Sequence, residues 1–179
     1  AAAVFVVVYI SFMGYAGDRV TAWLHPELDP GDTGYQILQS LYAIGSGGLF
    51  GLGYGKSRQK YLYLPFQYND YIFAVICEEL GLVGAMAIVA LFAVTILRGY
   101  WIALNARDRF STVLAAGLVT LIAVQTILNL CVVTNLLPST GIALPFFSYG
   151  GTALAVNLGE MGIVLGISRG RNRRKIQEA

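Results

Sequence analysis

The longest uncharged stretch of the chain runs from Leu80 to Leu97. As an α-helix it would be about 27 Å long, which nearly covers the hydrocarbon core of a bilayer, about 30 Å thick. Only 12% of the 179 residues are charged and 56% are apolar, whereas soluble domains average roughly 25% and 45–50%. A chain with so little charge cannot cover a water-facing surface, which excludes a soluble globular protein.

Three other apolar stretches are long enough, or nearly so, to cross a membrane. The sequence therefore predicts an all-α, polytopic helical membrane protein with about four transmembrane helices. The predicted spans are residues 1–16, 71–97, 112–133 and 151–168. The first is short for a bilayer, so we interpret it as a cut helix whose missing part precedes residue 1.

The positions of the basic residues predict an orientation. Arginines lie between the second and third spans, and the segment RGRNRRK follows the last. Because short cytoplasmic loops are enriched in Lys and Arg, both regions are predicted to be cytoplasmic, including a tail over residues 169–179. Residues 17–70 then form a large extracellular loop, and residues 134–150 form a shorter one.

The large loop contains turn residues, a stretch with helical spacing and then a glycine-rich segment. In the helical stretch, Ile37, Leu41 and Ile44 would lie opposite Gln36 and Ser40. A loop of this length is normally functional or disordered, and this pattern favours a structured loop.

Six glycines between residues 45 and 55 precede a basic cluster. The segment is no Walker A loop, because Phe50 occupies the position that requires glycine. Two interpretations stay open: glycines that pack closely against protein, or a backbone that approaches a diphosphate or lipid phosphate held by the cations. The candidate ligand-binding residues are Lys56, Ser57, Arg58, Gln59 and Lys60.

Asp70 stands immediately before the second span. It could cap that helix, or it could act as a general base near the basic cluster. The helix is expected to project above the membrane, with Asp70 about 12 Å beyond Glu78 and Glu79 and within reach of the basic cluster. Those two acids would pair with a cation or line a polar cavity.

Polar residues also occur within the later spans. They are expected either to hydrogen-bond between helices or to line a substrate path. They are Gln125, Asn129, Asn157 and Glu160.

The remaining residue types argue against other classes of site. Cys77 and Cys131 lie in apolar runs and are expected to be core residues. His25 has no neighbouring Cys or His at ligand spacing, so no metal site is predicted. The net charge of +2 gives no indication of nucleic-acid binding.

Three motifs resemble the SEDS family (shape, elongation, division and sporulation), the FtsW/RodA/SpoVE group. They are GSGGLFGLGYGKSRQK, DYIFAVICEELG and LPFFSYGG. They occur in the family's order and at its spacings, and their details are most similar to the FtsW and SpoVE branch. The resemblance implies that residues 1–179 are the C-terminal part of a single membrane domain of about ten spans.

The resemblance also implies an activity. SEDS proteins are peptidoglycan glycosyltransferases that polymerise lipid II in division, elongation or sporulation, in the bacterial cytoplasmic membrane. Their essential aspartate corresponds to Asp70, the implied general base. Other candidate substrate-binding residues are Glu79, Ser148, Tyr149 and Gly150. The implied partners are a class B penicillin-binding protein, lipid II and the growing glycan on undecaprenyl diphosphate.

No cofactor is required by the sequence, although a divalent cation, Mg²⁺ or Mn²⁺, could help to hold the diphosphate. The chain departs from the family pattern at Phe66, where a glutamate commonly follows the proline. Two other functions stay open: a flippase or transporter for the lipid-linked precursor, and a non-catalytic scaffold for a penicillin-binding protein.

Overall fold

The computed structural model describes residues 17, 19–28, 33–57 and 70–177. Residues 19–24 are helical and are followed by a short 3-10 helix, Pro26–Leu28. Four longer helices follow: α1 Thr33–Gly47, α2 Ile72–Leu104, α3 Arg109–Val133 and α4 Gly151–Gln177. No strand occurs in these ranges, which confirms the predicted all-α class. The predicted span 1–16 lies outside the described residues.

Within the described ranges, three helices are long and apolar enough to cross a membrane. They are Ile72–Leu104, Arg109–Val133 and the Gly151–Gly170 part of α4. All three extend beyond the predicted limits, and α2 ends at Leu104 rather than at residue 97. α3 begins at Arg109 because the Asp108 carboxylate caps it, accepting a hydrogen bond of 2.9 Å from the Ser111 backbone N–H. α4 continues to Gln177, through most of the predicted tail.

The three spans pack tightly at the end of the bundle where α2 passes into α3. Small side chains make this possible: Ala103 and Ala115 are fully buried together with Val119 and Val164. A Cβ on Gly99 would lie 2.6 Å from the Val119 side chain, so this glycine is needed for the approach of α2 to α3. Such small-residue contacts are typical of membrane helices.

α2 is broken at Gly81, whose φ of 68° and ψ of −171° are not helical. Gly99 contacts Val119 of α3, and the Asp70 carbonyl accepts a 2.8 Å hydrogen bond from Asn129 of α3. A straight helix from residue 70 to residue 99 would measure about 43 Å, but Val119 and Asn129 are only about 15 Å apart along α3. Residues 72–80 must therefore turn back sharply at Gly81. The prediction of a straight helix carrying Asp70 outward was wrong.

The glycine-rich segment, residues 47–55, docks into this break. The break deprives α2 of the bonds from residues 82 and 83 to the carbonyls of residues 78 and 79. The loop supplies four replacements: Leu52 N to Glu78 O at 2.9 Å, Gly53 N to Glu79 O at 3.0 Å, Leu82 N to Gly48 O at 2.9 Å and Val83 N to Leu49 O at 3.2 Å. All four interrupted backbone groups are therefore satisfied, as a membrane environment requires.

The glycines are needed for this docking. A Cβ on Gly51 would overlap the Glu79 carbonyl, and one on Gly47 would overlap the Cys77 carbonyl. Gly51 also has a φ of 76°, which favours glycine. Of the two interpretations of this segment, the structure supports close packing against protein for residues 47–53.

α1 lies against α2, with its buried face formed by Ile37, Ser40, Ala43 and Gly47. Ser40 was predicted to lie on the polar face, but it is fully buried. Its hydroxyl donates to the Ile37 carbonyl at 2.8 Å and lies 3.4 Å from the Val133 carbonyl of α3. The local acceptor satisfies the hydroxyl, so the serine can occupy the core face.

Candidate functional site

Asp70 lies where four segments meet: the helical residues 19–24, the start of α2, the end of α3 and the connection 134–150. The Asn129 side-chain amide, one turn before the end of α3, links the start of α2 to the connection 134–150. It donates to the Asp70 carbonyl and to the Ile142 carbonyl, both at 2.8 Å. Asn129 thus fixes the main chain of Asp70; it hydrogen-bonds as expected of a polar residue within a span, although to connecting segments rather than to another helix.

The helical residues 19–24 are attached to the same connection. Arg19 Nη1 donates to the Ser139 carbonyl at 2.9 Å, and Trp23 Nε1 donates to the Asn135 carbonyl at 3.0 Å. Gly141, with a φ of 70°, forms the turn beside the aspartate, and a Cβ there would lie 3.6 Å from Asp70 Oδ2. The carboxylate therefore lies against this turn.

The Asp70 carboxylate does not cap α2. The N-cap residue is Tyr71, and no side chain provides a cap hydrogen bond. The capping role considered for Asp70 is thus wrong, and the carboxylate is available for another purpose.

The environment of Asp70 alters its acidity. Burial raises the pKa of the Asp70 carboxyl above its ordinary value of 3.8, and the positive charge of Arg19 opposes that rise. A half-buried carboxylate with a raised pKa beside a fixed cation is typical of a general base.

Replacing Arg19 by glutamine removes the charge that lowers the pKa of Asp70, so that pKa should rise further. Because a general base works deprotonated, we expect the acid limb of the pH–rate profile of the full-length protein to move to higher pH. Activity measured across an acidic series tests this. Arg107→Gln, in the turn between α2 and α3, is the control, and an Arg19→Gln profile that coincides with it would contradict the assignment.

Two of the predicted ligand-binding residues directly follow the glycine-rich segment, and neither has a described contact with Asp70. Lys56 is exposed, and the buried Ser57 hydroxyl hydrogen-bonds to the Glu78 carboxylate. Glu78 is 1% exposed and Glu79 is 8% exposed. Glu79 Oε1 has no hydrogen-bond partner among the described residues. This group of acids lies at the break in α2.

The other predicted residues are distributed as follows. Arg58, Gln59, Lys60 and Phe66 lie outside the described residues. Ser148, Tyr149 and Gly150 immediately precede α4; Ser148 is buried, whereas Tyr149 is 84% exposed. Their segment returns toward α2, because the Phe147 ring lies 5.8 Å from the Phe92 ring. The substrate-binding roles of all these residues stay predictions.

A cavity of about 400 Å³ lies between α3, the connection and the start of α4. Gln125 and Asn157 contribute their side chains to its wall, as do Ile142 and Thr152. Glu160, one turn further along α4, is 8% exposed, and its Oε2 has no partner within the described ranges. Of the four intramembrane polar residues, Asn129 hydrogen-bonds to the carbonyls of two connecting segments, Gln125 and Asn157 line the cavity, and Glu160 is buried.

No three His, Cys, Asp or Glu side chains converge within the part of the chain that the structure describes. A Mg²⁺ or Mn²⁺ that helps to hold the diphosphate stays a prediction.

Three residues of the site were not identified from the sequence. Neither Arg19 nor Gly141 was among the candidate site residues. The role of Asn129 in holding Asp70 was also missed, because the two residues are 59 positions apart. Of these three residues, only Asn129 could have been identified from the sequence, because it is an amide within an apolar span.

The fold and this site define a multi-pass helical membrane protein with a half-buried aspartate at one end of its bundle. The sequence profile of the FtsW/RodA/SpoVE family, described as cell cycle protein, matches residues 1–173. The chain therefore belongs to the FtsW/RodA/SpoVE family, as its three motifs predicted.

Curated relatives share close to half of the aligned residues. Stage V sporulation protein E of Bacillus subtilis (strain 168) is 50% identical over 155 residues, which cover 87% of this chain and 42% of that protein. The probable peptidoglycan glycosyltransferase FtsW of Trichlorobacter lovleyi is 45% identical over 166 residues, covering 93% of this chain and 44% of the relative. The chain thus spans less than half the length of these relatives.

Two solved structures resemble the fold. One is a chain of a peptidoglycan synthase complex described as coordinating polymerization and crosslinking. It matches with a TM-score of 0.72 and 29% identity, over 94% of this chain and 46% of that chain. The other is an aspartate-to-alanine mutant of the rod shape determining protein RodA from Thermus thermophilus, with a TM-score of 0.57 and 33% identity over 74% of this chain and 40% of that chain.

Proposed function

We propose that this chain is the part of a peptidoglycan glycosyltransferase, a hexosyltransferase acting on lipid II, that carries the general base. The observation that carries the proposal is the Asp70 carboxylate: half-buried, not used as a helix cap, beside Arg19, and fixed through Asn129. The names of the relatives support the same activity, since several are probable peptidoglycan glycosyltransferases.

In the proposed reaction, a glucosamine hydroxyl of the acceptor attacks the anomeric carbon of the growing glycan. Asp70 takes the hydroxyl proton as the new carbon–oxygen bond forms. The bond between the anomeric carbon and the diphosphate oxygen breaks, and undecaprenyl diphosphate leaves. Lys56, with Arg58 and Lys60, would stabilise the charge of that leaving group.

Arg19 has a separate task in this scheme. Its charge opposes the rise in the pKa of the Asp70 carboxyl that burial causes, and so favours the ionised form. Its hydrogen bond to the Ser139 carbonyl holds it beside the connection 134–150. Arg19 is therefore a positioning residue for the base.

The proposed setting follows from the distribution of charge and from the relatives. Arg107 and Arg109 between α2 and α3, with the basic residues of 169–175, support a cytoplasmic location for that side in a bacterial cell, and Asp70 would then face outward. The similar chain in a peptidoglycan synthase complex supports a class B penicillin-binding protein as the partner that crosslinks the product.

The test uses the full-length protein, reconstituted in vesicles with its single-span transpeptidase partner and supplied with lipid-linked disaccharide-pentapeptide. We expect a ladder of glycan strands. Transfer of the substrate across the bilayer without polymer would instead support the flippase hypothesis. Assembly with the partner and no change of substrate would support a scaffold.

A further inference from the structure

The cavity between α3 and α4 is separated from Asp70 by a single turn of main chain. Gly141 lies against the Asp70 carboxylate, and the next two residues, Ile142 and Ala143, line the cavity. Its volume of about 400 Å³ falls within the range of pockets for small ligands, about 300–1,000 Å³. A ligand in it would lie next to the proposed base.

The wall of the cavity carries unused hydrogen-bonding groups. Asn157 is 7% exposed, and neither its amide nor that of Gln125 hydrogen-bonds to another residue within the described ranges. Gln125 is half-buried, and both amides line the cavity, where a ligand could supply the donors and acceptors that the described residues do not.

The first turn of α4 adds donors to the same wall. The first backbone bond of this helix runs from Leu154 N to Gly150 O at 2.8 Å. The N–H groups of residues 151–153 therefore have no acceptor in the described part of the chain. Thr152, which lines the cavity, adds a hydroxyl.

The absence of charge among the described lining residues indicates which part of a lipid-linked sugar, the diphosphate or the sugar itself, the cavity would bind. None of the described residues that line it is charged, whereas proteins bind phosphate groups with Arg and Lys. The Asp70 carboxylate beyond Gly141 also disfavours an anion here. Neutral amides, N–H groups and a hydroxyl instead match the hydroxyl and acetamido groups of an N-acetylated sugar.

We propose that this cavity binds the uncharged N-acetylated sugar part of the substrate and leaves the diphosphate outside. The proposal rests on the proposed function and adds a subsite to it. Gln125 and Asn157 are the residues that determine binding of the sugar, and they act on substrate affinity rather than on proton transfer.

The test compares Gln125→Leu and Asn157→Leu in the full-length protein with Thr120→Val. Thr120 is on the same helix as Gln125, but its hydroxyl contacts Tyr100 at 2.8 Å. Each leucine variant should raise the apparent KM for lipid-linked disaccharide-pentapeptide about five- to tenfold, the effect of one lost hydrogen bond. Thr120→Val should leave KM unchanged.

Two inhibitors identify which part of the substrate the cavity holds. The leucine variants should weaken inhibition by a soluble disaccharide-pentapeptide without lipid or diphosphate, and should leave inhibition by undecaprenyl diphosphate unchanged. The reverse pattern would overturn the proposal in favour of a diphosphate site. Unchanged constants with a lower thermal midpoint would overturn it in favour of packing against the rest of the protein.

Failure of this inference is distinguishable from failure of the proposed function. If the wild type polymerises and depends on Asp70, but the leucine variants keep their KM, only the sugar subsite is wrong. If the wild type makes no polymer, calorimetric titration of the soluble disaccharide-pentapeptide still tests whether the cavity binds the sugar. Equal binding by the wild type and Gln125→Leu would overturn the subsite.

Discussion

Replacing Asp70 by asparagine in the full-length protein is expected to lower the rate of glycan polymerisation about a hundred- to ten-thousand-fold, the range typical of a lost general base. Asparagine keeps the size of the side chain but cannot accept the acceptor's proton at neutral pH. The main-chain bond from Asn129 Nδ2 to the carbonyl of residue 70 is retained, so the surrounding fold should persist.

Asp108→Asn is the matched control for this substitution. Asp108 caps α3 at the opposite end of the α2–α3 pair, and asparagine is also a good N-cap. We expect its polymerisation rate and thermal midpoint to remain those of the wild type. Equal rates for Asp70→Asn and Asp108→Asn would contradict the assignment of the base.

Replacing Gly81 by alanine is expected to destabilise the protein by at least about 3 kcal/mol. The φ of 68° disfavours any residue with a Cβ, and the added carbon would lie 2.6 Å from the Leu49 carbonyl oxygen. The docked loop would have to move, which breaks the four backbone bonds that satisfy the interrupted helix. Thermal unfolding in detergent measures the loss.

Gly45→Ala is the reference for this measurement. Gly45 is within α1, its φ is not in the positive range, and an added Cβ meets no described atom within 4 Å. Alanine there should leave stability unchanged or raise it by up to about 1 kcal/mol, because alanine favours helix. Equal midpoints for Gly81→Ala and Gly45→Ala would show that the break does not depend on glycine.

The parts of the fold that follow from local chemistry were predictable from the sequence. Uncharged runs long enough to cross a bilayer identified the helices that contain Leu80–Leu97, 112–133 and 151–168. Their exact ends depend on capping: α3 starts at Arg109 because Asp108 precedes Ser111 at capping distance, a signal that hydropathy does not contain.

The break at Gly81 was not predictable in the same way. A single glycine in an apolar run is usually tolerated in a helix. Here it breaks α2 because a loop some 30 residues earlier provides replacement hydrogen bonds, an arrangement that depends on tertiary contacts. The glycines of residues 47–53 were recognised as a close-approach segment, but the sequence did not determine what they approach.

Of the candidate site, the sequence identified Asp70 but not the residues that surround it. Asp70 was singled out by its position before a span and by the family motif. Its contacts come from Arg19, Asn129 and Gly141, which are 51, 59 and 71 positions away along the chain. No spacing rule relates residues so far apart, so the neighbours of Asp70 required the folded structure.

The most direct test of the central claim measures binding and turnover on one preparation of full-length Asp70→Asn protein. Binding of lipid-linked disaccharide-pentapeptide is measured by titration, and glycan formation is measured under the same conditions. If Asp70 is the general base, the variant binds this substrate with the affinity of the wild type and forms almost no glycan. Glycan formation at the wild-type rate would contradict the claim, as would a loss of binding that accounts for the whole loss of activity.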